Sequence, residues 1–242
     1  MLDQIQISTE VSLKIIRHNA YAAIGYVLFG FLGLLLAIPP GYASPVFPAA
    51  GLALALTLVS GYRLLPGIWI GSLGLNIWVA WNQNDLTQSS VLIAALLGMG
   101  AMLQAALGAW LVRRFVKDRW QTLMREQEIF TFFLLSGPLS CMISASVAHL
   151  TLFFFGAIGA DGISWSWWNW WSGDTFGVLV FAPLSLAFFG SQSYWKTRKA
   201  VIAPITLILV TLIVTGFVNT SKLENRQQQA EIQSIGQNIA FQ

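Results

Sequence analysis

The feature that most limits this chain is a succession of long apolar runs with almost no charge inside them. Seven stand out, at residues 20–38, 44–60, 64–81, 90–112, 129–158, 165–189 and 200–218. A helix that crosses a hydrocarbon core of about 30 Å needs about 20 apolar residues. Inside a bilayer the backbone polar groups must be satisfied within the segment, so runs of this kind read as transmembrane helices. Composition agrees: 56% of the 242 residues are hydrophobic and 10% are charged, against about 25% charged in soluble domains. The expected fold is all-α, a polytopic transmembrane helical bundle of seven spans. The fifth run contains Gly137-Pro138, and proline removes a backbone donor and kinks a helix. It reads as one tilted or kinked helix, with two shorter segments and eight crossings as the alternative. The first run is not a cleaved signal peptide, because 19 polar-rich residues precede it and no small-residue cleavage site follows.

The few charges orient the bundle through the positive-inside rule. With the N-terminus inside and seven crossings, the cytoplasmic side holds Lys14, Arg17, Arg63, Arg113, Arg114, Lys117, Arg119, Arg125, Lys196, Arg198 and Lys199, eleven of the 13 basic residues. Splitting the fifth run would move the last three of these outside. The expected arrangement is therefore N-terminus in and C-terminus out, with a cytoplasmic segment at 1–19 and the membrane bundle at 20–218. The basic residues are spread over short loops, so the net charge of +3 points to a lipid bilayer as partner and not to nucleic acid. The loops are too short for a soluble catalytic domain. The single cysteine, Cys141, excludes a disulfide framework. No catalytic set, metal site or cofactor is expected.

After residue 218 the composition turns polar. Leu223, Ala230, Ile235 and Ile239 recur at roughly heptad spacing through 219–242, an apolar stripe on a polar helix. It reads as an extracytoplasmic linker helix leading into a further domain, and as a route to homodimerisation.

Asp174 is the one acidic residue within a span, roughly 13 Å inward from Trp165 along a helix. An intramembrane carboxylate costs about 2.5–3.5 kcal/mol on insertion scales and marks a functional site by default. It should face the bundle interior, as a ligand contact or in an interhelical hydrogen bond to Asn76 or a serine. His149 has no second histidine near enough to share a metal, so a hydrogen-bonded role suits it best. Ser136, Ser140, Ser144 and Ala148 form an i, i+4 face of small residues. Gly67 with Gly71, and Gly173 with Gly177, have the GxxxG spacing of close helix packing. Gln104, between Gly100 and Gly108, reads as polar glue. Trp78, Trp81, Trp165, Trp167, Trp168, Trp170 and Trp171 gather at the outer ends of the third and sixth runs. They suit an interfacial belt, or an aromatic cage for a ligand above Asn169 and Asp174. The candidate ligand residues are thus Asp174, Asn76, Asn169, Trp78, Trp168, Trp171 and His149, for a small molecule the sequence does not name.

Three stretches resemble a known family. They are Phe47-Pro48-Ala49-Ala50-Gly51-Leu52-Ala53-Leu54-Ala55 with Gly61-Tyr62-Arg63-Leu64-Leu65-Pro66-Gly67-Ile68 and Gly71-Ser72-Leu73-Gly74-Leu75-Asn76; Leu134-Leu135-Ser136-Gly137-Pro138-Leu139; and Trp170-Trp171-Ser172-Gly173-Asp174-Thr175-Phe176-Gly177-Val178-Leu179-Val180-Phe181-Ala182-Pro183-Leu184. Together they look like the bacterial membrane-associated sensor domain of the first type, the MASE family. The resemblance implies an inner-membrane input module of signalling proteins whose outputs are histidine kinases or cyclic-di-GMP enzymes of the GGDEF and EAL classes. The tail resembles the lead-in helix of a periplasmic CHASE sensor domain. Pro48, Gly51, Arg63, Pro66, Gly67, Asn76, Gly173, Asp174, Gly177 and Pro183 occupy the family's pattern positions, and most of them speak for helix geometry as much as for binding.

A sensory input domain is the leading functional expectation. A small-molecule transporter or channel is the alternative, since midplane polar groups suit transport. An enzyme working within the membrane would need more than one histidine and one aspartate.

Overall fold

The computed structural model describes residues 2–35, 44–159, 163–190, 200–212 and 215–216, with side chains from Ser12 onward. Eight helices follow one another: α1 (Leu2–Leu35), α2 (Pro48–Ser60), α3 (Leu65–Asn82), α4 (Gln88–Leu111), α5 (Glu126–Leu134), α6 (Ser140–Phe154), α7 (Ile163–Phe189) and α8 (Ala200–Leu212). There is no strand among the described residues. Among the described residues, five helical stretches are long and apolar enough to cross a membrane: Ser12–Leu35, Tyr62–Asn82, Gln88–Gln121, Glu126–Phe154 and Ile163–Phe189.

α1 runs unbroken from Leu2 through the polar stretch into the first apolar run. One departure from the sequence reading has a physical cause. The second run does not make a full-length helix. Proline disfavours helical geometry in the residue before it, so Phe47 is extended and α2 begins at Pro48, leaving 13 residues. It ends at Gly61, whose φ of 82° suits glycine and whose N–H bonds to the Thr57 carbonyl. Of the seventh run, Ala200–Leu212 forms α8, and 213–214 and 217–218 lie outside the described residues. The tail stripe at 219–242 lies outside them.

The fifth run is one interrupted helix. α5 and α6 are joined by a single π turn, Leu135–Leu139, that holds Gly137-Pro138. The indole Nε1 of Trp171 on α7 donates to the Pro138 carbonyl at 2.8 Å.

Small residues set the closest approaches. α2 packs most extensively on α7. A Cβ on Gly51 would lie 2.5 Å from the Gly177 carbonyl oxygen, while Cβ atoms on Gly173 and Gly177 would fall on the carbonyls of Ser44 and Phe47. The extended segment 44–47 therefore lies directly on α7, tied by the Phe47 N–H to the Gly173 carbonyl at 2.9 Å. Gly67 and Gly71 admit α1 in the same way, against the backbone of Asn19 and Ala23. Asn19 locks this crossing: its Oδ1 accepts from the Gly67 N–H at 2.7 Å and its Nδ2 donates to the Arg63 carbonyl at 2.9 Å. Gly100 and Gly108 of α4 face Ser144 and Ser140 of α6, so the small-residue face packs as its spacing predicts.

The structural motif positions are now explained by place. Pro48 and Pro66 occupy first turns of helices, Pro183 lies inside α7, and the Arg63 carbonyl is the Asn19 partner.

Candidate functional site

Between α1, α2, α3, α4, α6 and α7 lies a cavity of about 370 Å³. Its outer end is at the α3–α4 turn, where Gln83 and Asp85 are exposed. Thr87 caps α4 there, its Oγ1 accepting from the Ser90 N–H at 3.2 Å while Ser90 Oγ accepts from the Thr87 N–H at 2.7 Å. This reciprocal box fixes the start of α4 and so the position of Ser90 on the cavity wall.

The inner end is formed by Asp174, Ser144, Trp170, Gln104 and Tyr26. Asp174 is 5% exposed, at the middle of α7. Its carboxyl meets the side chain of Ser144 on α6. Ser144 Oγ in turn accepts from Trp170 Nε1 at 3.3 Å. A hydroxyl that accepts one bond still has its own proton to give, and the Asp174 carboxyl is the group beside it. On the opposite wall Ser72 and Asn76 stand one turn apart on α3. Asn76 Nδ2 donates to the Ser72 carbonyl at 2.8 Å, and the Ser72 side chain meets the Tyr26 hydroxyl. Apolar side chains such as Leu75, Val79 and Leu97 complete the wall.

Of the candidate ligand residues, Asp174 and Asn76 meet in this cavity. The others do not. Trp78 sits edge-to-face on Phe31 with ring centroids 4.6 Å apart and is 41% exposed. Trp168 is exposed and tilts against Trp171, whose own N–H is committed to Pro138. Asn169 contributes its carbonyl to Ser172 Oγ. No aromatic cage forms above Asp174: among the described residues Trp170 is the one tryptophan on the cavity wall, and Trp81, Trp165 and Trp168 face outward. A helix that is aromatic all round can turn only one or two of its rings inward.

His149 is buried and doubly engaged, with Nδ1 at 2.8 Å from the Ala145 carbonyl oxygen and Nε2 at 2.8 Å from Ser166 Oγ. It joins α6 to α7 outside the cavity lining. No group of three His, Cys, Asp or Glu that could hold a metal occurs among the described residues.

Gln104 departs from the glue reading. It is 5% exposed, and its Oε1 has no hydrogen-bond partner among the described residues. Together with Trp170, Tyr26 and Ser144 it lines the cavity, although none of the four was among the candidate ligand residues. One signal was available: Trp170 is four residues before Asp174 and shares its helix face, whereas Trp171 is rotated toward α6.

A polytopic helical membrane protein with a polar cavity in its interior is the class these features define. The chain belongs to the MASE1 family, whose model matches residues 18–223. It is thus a membrane-associated sensor domain, as the Pro-Ala-Ala-Gly and Gly-Asp-x-x-Gly stretches suggest. No curated protein and no solved structure matches the chain.

Proposed function

We propose that this chain is the sensory input of a bacterial signalling protein and that it detects a small molecule held in the α1–α4/α6/α7 cavity. The observation that carries the reading is a lone buried carboxylate, Asp174, at the inner end of a cavity that reaches an exposed turn. The bundle sits in the inner membrane with its N-terminus in the cytoplasm, so the turn at Gln83 and Asp85 faces the periplasm; the gathering of basic residues in the alternate loops supports this. Seven crossings suit the same frame. α2 rises about 20 Å, and extended residues 44–47 add about 13 Å, enough for a mixed crossing. Such backbone is tolerated at membrane depth only where protein covers it, as α7 does here.

Ligand occupancy acts by favouring one of two packings of α7 against the 44–47 segment and α2, since a ligand shifts an equilibrium only through differential affinity. The last helix and the tail, in a homodimer, carry the change through a CHASE-like region to a histidine kinase or cyclic-di-GMP enzyme. The test is Asp174→Asn in the full-length signalling protein, with Asn169→Ala as the control outside the cavity. The first should change the stimulus–output relation at normal protein level and the second should not. An Asp174→Asn protein that folds and signals like the wild type overturns the assignment. The broken second span also suits a transporter; uptake of solute into vesicles containing only this protein would favour that reading instead.

A further inference from the structure

The chemistry of the cavity wall restricts what it can hold. The wall carries two carboxylates, Asp174 inside and Asp85 at the mouth, and no Lys, Arg or His among the described residues. Of its side-chain N–H donors, Trp170 Nε1 is used on Ser144 and Asn76 Nδ2 on the Ser72 carbonyl and hydroxyl, while Gln83 at the mouth and Gln104 inside also carry amide N–H groups. Its charged and buried acceptors lack such partners. The Asp174 carboxylate has about four lone-pair sites for the one proton Ser144 can give, and the buried Oε1 of Gln104 has no partner among the described residues. A buried acceptor is costly to leave unpaired, so a donor on the ligand would complete this wall. The size is near the lower end of the roughly 300–1,000 Å³ typical of ligand pockets. Much of the remaining wall is apolar, and Tyr26, Phe47 and Trp170 contribute aromatic rings to it.

We propose that the cavity receives a small primary organic ammonium ion. Its N–H groups bond to Asp174 and Gln104 Oε1, and its apolar body lies along Leu75, Val79 and Leu97. A quaternary ammonium would leave Gln104 unsatisfied, and a carboxylate or phosphate would face two like charges with no cationic side chain on the described wall to offset them. The inference rests on the sensory reading of the cavity and adds the ligand class.

The test uses three probes that share one body and differ in head group: 2-phenylethylammonium, 2-phenylethanol and 3-phenylpropanoate. They are titrated into the full chain in phosphatidylcholine nanodiscs, with empty nanodiscs as the blank, and binding is read from tryptophan fluorescence. The ammonium should bind roughly 10-fold or more tightly than the alcohol, and the carboxylate not at all. Asp174→Asn should abolish that preference, Gln104→Met should weaken it, and Gln104→Glu should strengthen it. If Asp174→Asn does not fold, the two Gln104 variants decide. Equal binding of alcohol and ammonium, or binding of the carboxylate, overturns the ligand class but leaves the cavity as a site. Absence of binding by all three also overturns it. Normal signalling by Asp174→Asn in that case removes the sensory assignment as well, whereas altered signalling preserves that assignment without the ammonium.

Discussion

Gly177→Ala isolates the contact on which the α2–α7 arrangement depends. A methyl group there would fall on the Phe47 carbonyl, with the Phe47 carbon and nitrogen close behind. Both sides are backbone, so no rotamer change relieves the overlap. The 44–47 segment must retreat by about 1 Å or more to regain van der Waals separation. That takes the 2.9 Å bond from the Phe47 N–H to the Gly173 carbonyl beyond hydrogen-bond range. Overpacking costs about 1–3 kcal/mol and a lost buried hydrogen bond about 1 kcal/mol, so a loss of about 2–4 kcal/mol is expected. For a chain of this size that lowers Tm by roughly 5–15 °C. The molecule carries its own reporter. Cys141 is its one cysteine and is buried in the core beside α2 and α7, so a thiol-reactive fluorogenic dye in detergent reads unfolding directly. Gly74→Ala is the matched control. It makes the same chemical change inside α3, where a Cβ would meet nothing within 4 Å, and alanine should there be neutral or favourable by about 0.5–1 kcal/mol. The reasoning is refuted if the two variants melt alike.

Three further outcomes follow from single contacts. Arg113 Nη2 donates to the Thr57 and Leu58 carbonyls at the end of α2, and its guanidinium lies 5.1 Å from the Tyr62 ring. Arg113→Ala should cost about 1–2 kcal/mol and Arg113→Lys should recover only part of it, since an ammonium can donate to the carbonyls but has no planar group to stack on Tyr62; the same thiol assay checks both. His149→Leu and Ser166→Ala should each cost about 1 kcal/mol, and the double variant no more than the worse single one. Full additivity would mean the two side chains do not act as a pair. Glu128→Gln should change stability by less than about 1 kcal/mol, because its ion-pair partners Arg119 and Arg125 are largely exposed. A drop of several degrees would show that these ion pairs count for more than their exposure suggests, because glutamine keeps an acceptor for the Arg125 N–H (3.3 Å).

The all-α class, the helical runs and the small-residue crossings were legible because each rests on local composition or on i, i+4 spacing. Asp174 stood out for the same reason, as a charge where charge is expensive. What sequence spacing could not supply was azimuth. Seven tryptophans near two helix ends look equivalent in a linear reading, yet only Trp170 shares a wall with Asp174. Trp171 is turned to the carbonyl that Pro138 sits under, a contact that depends on the π turn. Gln104 was invisible for a similar reason: a buried amide can glue helices or face a void, and only the position of α3 and α6 around it decides which. Asn19 lies in the polar stretch at the head of α1, where nothing marks it as the lock on Gly67.

The short α2 and its extended lead-in also bear on the order in which the chain is assembled. During synthesis, residues 44–60 leave the ribosome long before α7. Thirteen helical residues are a weak insertion signal, and the backbone groups of 44–47 find their cover on Gly173 and Gly177 only when the sixth apolar run arrives. Until then this stretch has reason to linger at the membrane surface or in the insertion machinery. A nascent chain halted before α7 should therefore expose residues 44–60 to aqueous labelling, and release of α7 should close them off.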